Sequence, residues 1–225
     1  MISIEIIASS VHDILAAKAG GADRIELVSA LSEGGLTPSD GMVRAAASID
    51  IAHAVMVRPS SASFCYREDE LTVMRADLER MREIGVRHVV LGILDEDGLP
   101  DVGAVNRLLE GLELTATFHR AIDESADLFA SLDRLRQCPA ITHVLTSGGP
   151  GRAVDHLETI AAMIDHTDLR IIVGSGVQAS NIEEIRTGLG DREYDLHLGT
   201  AVRGRSVQGL VDPEEVRRVV GKLKT

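Results

Sequence analysis

The chain repeats one pattern from end to end. A short apolar run is followed by a loop rich in Gly, Ser, Pro or Asp, then by a stretch whose apolar residues recur three and four apart. The pattern predicts strands over Ile2–Ile7, Arg24–Ser29, Ala52–Arg58, Val89–Leu94, Leu114–His119, Ile141–Thr146, Arg170–Gly174 and Asp195–Gly199. Helices are predicted over Val11–Ala19, Ser39–Ser48, Glu68–Ile84, Val102–Glu110, Asp127–Gln137, Arg152–Ile164, Ala179–Leu189 and Pro213–Lys222. Gly20-Gly21, Gly85, Gly111 and Gly190 stand where helices should stop, and Ser39 and Asp212-Pro213 stand where they should start. Eight strand–helix units in 225 residues point to a single-domain (β/α)8 barrel spanning the whole chain, because that fold takes about 200–250 residues. A doubly wound sheet usually needs fewer strands for this length.

In a barrel, side chains alternate between the interior and the helix layer. With Ile4, Ile6, Ile25, Leu27, Val55, Val57, Phe118, Leu196 and Leu198 facing the helices, the interior receives Glu5, Glu26, Arg58, His119, Asp195 and His197. Met56, Thr115 and Thr117 join them. Burying so many charges is costly unless they pair. A self-satisfied polar plug is the plain interpretation; for the whole set a functional site is the better one, because apolar filling would be cheaper.

Chemistry on this fold belongs at the C-terminal strand ends. There the candidate catalytic residues are Glu26, Arg58, His119, Asp123 and His197. His119 would be the general acid/base, titrating near neutrality. Glu26 or Asp123 would assist it, and Arg58 would stabilise developing negative charge. Arg120 points away from His119 and should support the loop around Asp123. The Gly-rich ends of the sixth, seventh and eighth strands offer backbone N–H groups to a phosphate or carboxylate, with Ser147, Gly148, Gly174, Ser175, Gly176, Gly199 and Thr200 as candidate anion-binding residues. This reads as a proton-transfer enzyme (isomerase, lyase or hydrolase type) acting on a small phosphorylated or carboxylated metabolite.

Composition narrows the partners. A formal net charge of −12 opposes nucleic-acid binding, and three Phe, two Tyr and no Trp leave little for base stacking. No apolar run approaches the roughly 20 residues that span a bilayer, and Ile2-Ser-Ile-Glu-Ile-Ile7 reads as a first strand. Two cysteines, Cys65 and Cys138, make no disulfide framework or metal-type pair. A cytoplasmic protein is expected. Its partner would be a small anionic molecule or a metal ion, not nucleic acid or membrane, with a homo-oligomer left open.

Several motifs together resemble the CutC-type proteins, usually described as copper homeostasis proteins built as TIM barrels. They are Gly21-Ala-Asp-Arg-Ile-Glu-Leu27, Glu33-Gly-Gly-Leu-Thr-Pro-Ser39, Val57-Arg-Pro59 with Phe64-Cys-Tyr66, and Gly92-Ile-Leu-Asp-Glu-Asp-Gly98 with Asp101. Thr117-Phe-His-Arg-Ala121 with Asp123, Val144-Leu-Thr-Ser-Gly148, Gly174-Ser-Gly-Val177 with Asn181, and His197 complete the set. The resemblance implies copper or a divalent metal as cofactor and no nucleotide. Its ligands at the mouth would be Cys65, His119 and His197, with Glu26. The chain departs from the family where members carry cysteine near the ends of strands one and two, at Ile7, Ala8 and Val28 here. It also carries Ser60-Ser-Ala-Ser63 where members have a charged stretch. A Cu(I) site wants soft thiolate or thioether donors, and only Cys65 stands at a family position.

Overall fold

A computed structural model describes residues 2–223, so Met1, Lys224 and Thr225 lie outside the described residues. Eight strands close a barrel in chain order: β1 (Ile4–Ala8), β2 (Arg24–Leu27), β3 (Ala52–Met56), β4 (His88–Leu91), β5 (Thr115–Phe118), β6 (Ile141–Thr146), β7 (Arg170–Val173) and β8 (Tyr194–Leu198). Each neighbouring pair is parallel, and Glu5 on β1 stands beside His197 on β8 where the barrel closes. Between and after them run α1 (Val11–Gly20), α2 (Asp40–Ala47), α3 (Glu68–Ile84), α4 (Val102–Leu109), α5 (Leu128–Leu135), α6 (Leu157–His166), α7 (Ile182–Leu189) and α8 (Pro213–Leu223). This is the single-domain (β/α)8 barrel that the hydrophobic pattern predicts.

Several element limits differ from the predicted ones, for local reasons. The helix expected over Arg152–Ile164 begins as a 3-10 turn at Ala153–His156 and becomes α6 only at Leu157. The helix expected from Ala179 starts at Ile182. The Asn181 side chain accepts from the Gln178 N–H at 2.9 Å and donates to the Gly176 carbonyl at 2.8 Å, which holds that stretch in a turn. Arg58 and His119 sit just past the last ladder residues of β3 and β5, not within them.

The expected alternation of the strands is present. Ile4, Ile6, Ile25, Leu27, Val55, Val57, Phe118, Leu196 and Leu198 pack in the main core with the helices. The interior carries a small apolar cluster of Val28, Ala54, Met56 and Val90, and beside it a buried polar set. At its N-terminal end, His88 bonds Thr115 and Thr117 through its two ring nitrogens at 2.7 and 2.8 Å, and Arg170 meets Asp195 at 2.8 Å. Burial, with His143 and Arg24 adding to it, pushes the His88 imidazole down to about 4, so it stays neutral and hydrogen-bonded.

A second buried ion pair secures the long connection after β8. Asp13 on α1 is fully buried and accepts from the Ser9 and Val211 N–H groups at 2.9 and 3.0 Å and from Arg203 at 3.4 Å. Arg203, 2% exposed, also donates to the carbonyls of Ile7 and Gly209. One carboxylate thus joins the end of β1, the start of α1 and the approach to α8. Removing it would strand a buried guanidinium and leave two N–H groups without their acceptor. Asp13→Ala should cost about 3–5 kcal/mol and lower the Tm by roughly 10 °C, read from thermal denaturation by circular dichroism.

Candidate active site

A cavity of about 710 Å3 opens at the C-terminal end of the barrel. Of the sequence-predicted catalytic residues, Glu26, Arg58, His119 and His197 line it, and Asp123 does not.

Glu26 and His197 line its floor, and Glu5 lies against His197 off the lining. His197 Nδ1 lies 2.7 Å from Glu5 Oε1, and Arg24 Nε donates to Glu5 Oε2 at 2.6 Å. On the other side His197 Nε2 stands 3.8 Å from Glu26 Oε2. Glu5 therefore has both oxygens engaged, while Glu26 Oε1 is buried with no hydrogen-bond partner among the described residues. The two carboxyls diverge accordingly. Burial pushes Glu5 up, but Arg24 and His197 together hold it down at about 2. Burial pushes Glu26 up to about 7, because the more distant His197 and Arg24 offset that cost only in part and Glu5 adds repulsion. His197 itself is raised: burial disfavours its charge, and the two flanking glutamates outweigh that.

His119 occupies the wall. The ring fits because position 92 is glycine: a Cβ on Gly92 would stand 2.3 Å from His119 Nδ1. That Nδ1 accepts from the Ala121 N–H at 3.1 Å, so the proton of the neutral ring sits on Nε2. Nε2 is buried and has no partner among the described residues. Burial, with Arg58 and Arg120 adding to it, pushes the imidazole down to about 3. The expectation of a histidine titrating near neutrality is corrected here. In this dry, positive surrounding, His119 is a neutral N–H donor.

Arg58 lies beside it, 8% exposed. Its Nη1 donates to the Glu33 and Gly35 carbonyls at 3.0 and 3.3 Å, and its Nε has no partner. Phe64 is wedged between the two, its ring 4.8 Å from the guanidinium carbon and 5.0 Å from the His119 ring. Seven described residues carry a buried side-chain N or O atom without a partner, and three of them, Glu26, Arg58 and His119, line this one cavity.

Two sets of predicted residues are placed elsewhere or otherwise engaged. Asp123 accepts from Arg120 Nε at 2.8 Å, Ser147 Oγ at 2.8 Å and Thr146 Oγ1 at 2.5 Å, and from the Ser147 N–H. Its oxygens are spent joining the loop after β5 to the end of β6, so Asp123 is a structural clasp and not a reacting group. Arg120 supports that clasp, as expected, and also reaches the cavity wall. The same bonds consume the N–H groups of Ser147 and of Gly148, which donates to Thr146 Oγ1, and the Gly174 N–H donates to the Thr146 carbonyl. These three are withdrawn from the anion-binding set. Ser175, Gly176, Gly199 and Thr200 do line the cavity.

The metal set Cys65, His119 and His197 is not assembled: Cys65 is exposed and off the cavity lining. Among the described residues the one cluster with metal-ligand spacing is Glu5, Glu26 and His197, with one donor atom of each within 4.8 Å of the others. Residues that sequence reasoning left out of the site are Glu5 as an orienting carboxylate, Arg24 as its counterion, Gly92 and Phe64. The alternation of β1 had already turned Glu5 inward. Gly92 opens one of the family motifs, but nothing in the residue pattern marked its place beside His119.

A family model described as the CutC family matches residues 2–201. A family protein CutC from Xanthomonas campestris pv. campestris is 41% identical over 199 residues, covering 85% of this chain and 81% of that protein. Another, from Xylella fastidiosa, is 39% identical over 206 residues, covering 90% and 77%. A solved structure described as a copper homeostasis protein CutC, from Streptococcus agalactiae, superposes with a TM-score of 0.81 at 31% identity, over 89% of this chain and 99% of that one. Phosphoribosylanthranilate isomerase from Thermotoga maritima superposes with a TM-score of 0.64 at 12% identity over 100% of this chain and 99% of that one, a likeness of fold alone. The chain belongs to the CutC family.

Proposed function

We propose that the barrel mouth is an active site that moves a proton on a small anionic metabolite, as an isomerase, lyase or hydrolase does. The observation that carries this reading is Glu26. It is a buried carboxyl raised to about 7, with one oxygen unpartnered, in a cavity where two buried N–H donors are also unpartnered. A carboxylate with that proton affinity can take a proton at neutral pH and return it. His119 Nε2–H and Arg58 would then face the negative charge that develops on the substrate. His197, held by Glu5, stands 3.8 Å from Glu26 and partly offsets the rise that burial causes. No sulfur chemistry is required, and Cys138, buried off the cavity with its thiol pushed up to about 11 by burial and by Asp101, has no part in it.

Copper is the second reading, favoured by the description of the Streptococcus agalactiae relative. The residues here do not fit Cu(I), which prefers thiolates and thioethers: Cys65 is exposed, and the converging donors are oxygen and nitrogen. They suit a divalent ion better, with His197 Nε2 and Glu26 as ligands and Glu5 holding the far ring nitrogen. Titration of the purified protein with Cu(II) and Zn(II) separates the readings. On the proton-transfer reading, His197→Ala binds either ion no more weakly than the unaltered protein; a loss of tight binding in that variant would favour the metal.

For the enzyme reading, the substrate is sought by incubating the protein with a panel of small acids and phosphate esters in D2O and following C–H exchange by NMR. Glu26→Gln should lower the exchange rate by about 100- to 10,000-fold while ligand-induced shifts in Tm persist. Because the base works in its ionised form, the unaltered protein's rate should climb about tenfold per pH unit below the apparent pKa and level off above it. The bend is expected near pH 7 and belongs to the Glu26–His197 pair as a unit. A pH-independent rate from pH 5 to 9 would sink the assignment.

A further inference from the structure

We propose that the buried edge of Arg58 is a docking point for a carboxylate, so that the molecule handled at this mouth is a small carboxylic acid. The inference deepens the proton-transfer reading and rests on it for what happens to the bound acid, not for the binding itself.

Arg58 carries a positive charge into a site that is 8% exposed, and no carboxylate lies within ion-pairing distance of it among the described residues. Its Nη1 is spent on two backbone carbonyls, those of Glu33 and Gly35. Those bonds fix the guanidinium against the loop above β2. Gly34 allows the fit, since its φ of +84° is left-handed and a Cβ there would meet Arg58 Nη1 at 3.0 Å. Phe64 lies against the guanidinium carbon at 4.8 Å. What remains is the Nε–Nη2 edge: Nε is buried without a partner, and the Tyr66 hydroxyl is the neutral group beside the guanidinium. A buried guanidinium held by neutral carbonyls, a hydroxyl and an aromatic face, with no carboxylate beside it, is costly. Two parallel N–H groups on one planar edge match the two oxygens of a carboxylate.

The other guanidiniums at the mouth are committed or peripheral. Arg120 is tied to Asp123 and Ser147, Arg152 is paired with Asp155 at 2.9 Å, and Arg205 is exposed. The neighbours of Arg58 supply the rest of a recognition set. The unpartnered Nε2–H of His119, across Phe64, can hold a second oxygen of the acid, and the unpartnered Oε1 of Glu26 is an acceptor for its C–H proton. In balance, the C–H electron pair moves into an enediolate as the proton passes to Glu26. Reprotonation or loss of a leaving group then completes the turnover. A phosphate would instead be drawn to the backbone at Ser175, Gly176 and Thr200, away from this edge.

Thermal shift and isothermal titration with malonate, pyruvate, their primary-amide isosteres and inorganic phosphate test the proposal. The carboxylates should raise the Tm of the unaltered protein and of Glu26→Gln, whereas the amides should not, and any rise with phosphate should persist in Arg58→Lys and Arg58→Gln. Arg58→Lys and Arg58→Gln should bind the carboxylates roughly 30-fold more weakly or worse, with unchanged circular dichroism. If those variants do not fold, the comparison of carboxylate with amide on the unaltered protein decides. Equal stabilisation by the amides, stabilisation by phosphate alone, no response to any carboxylate, or affinity unchanged in a folded Arg58 variant would each overturn the docking point. Carboxylate binding without C–H exchange in D2O would overturn the proton-transfer reading and leave the docking point standing.

Discussion

Arg24 Nε against Glu5 Oε2, at 2.6 Å, is the contact on which the interior of this barrel depends. A closed ring of eight short strands leaves a core that side chains must fill, and here much of the filling is ionisable. Charges buried this way are costly unless they are met inside. The N-terminal half meets the demand: Arg24 satisfies Glu5, Glu5 orients His197, Arg170 satisfies Asp195, and the threonines of β5 satisfy His88. Toward the mouth the pairing runs out. Glu26 makes no hydrogen bond with Arg24, and its high proton affinity follows from burial that His197 and Arg24 offset only in part.

The rim is built to stay in place around that unfinished end. Asp123 pins the loop after β5 to the end of β6 through three donors of Thr146 and Ser147, and Asp13 pins the approach to α8 through Arg203. Both carboxylates are saturated, so they contribute rigidity and no chemistry. Arg58 and His119 are fixed in the same way, each by a backbone contact on one nitrogen that leaves another nitrogen unmade. Preorganised donors of this kind cost little rearrangement when charge develops opposite them.

The barrel itself was legible because period-two strands and period-3.6 helices alternate with clear stops, and strand alternation was enough to turn Glu5, Glu26, Arg58, His119 and His197 inward. Roles were less legible, because they depend on what each inward group meets. His119 looked like an acid/base from its residue type; the Ala121 N–H on Nδ1 and two nearby guanidiniums make it a neutral donor, and neither is visible in a motif. Asp123 sat three residues beyond Arg120 and looked reactive, whereas its partners Thr146 and Ser147 come from the next strand. Ser147 and Gly148 were read as spare N–H donors for the same reason: the carboxylate and hydroxyl that consume them lie on neighbouring chain. Gly92 stood in a family motif without a visible role, because its function is an absence, the missing Cβ that admits the imidazole of His119. His88 fell one residue outside the predicted strand, so its bonds to the inward Thr115 and Thr117 were not foreseen.

Net charge and local charge point in opposite directions here, and distance decides between them. The formal charge of −12 is spread over a surface where salt screens it within about 8–10 Å. That field opposes a polyanion, which must lie along many surface carboxylates at once. It says little about a small anion already inside the mouth beside the buried Arg58, where charges are screened less than on the open surface. Glu26 does not cancel this attraction, because burial keeps it partly protonated near neutral pH. An acidic protein can therefore present a cationic pocket, and the pocket's sign is set by which buried group lacks a partner, not by the sum over the chain.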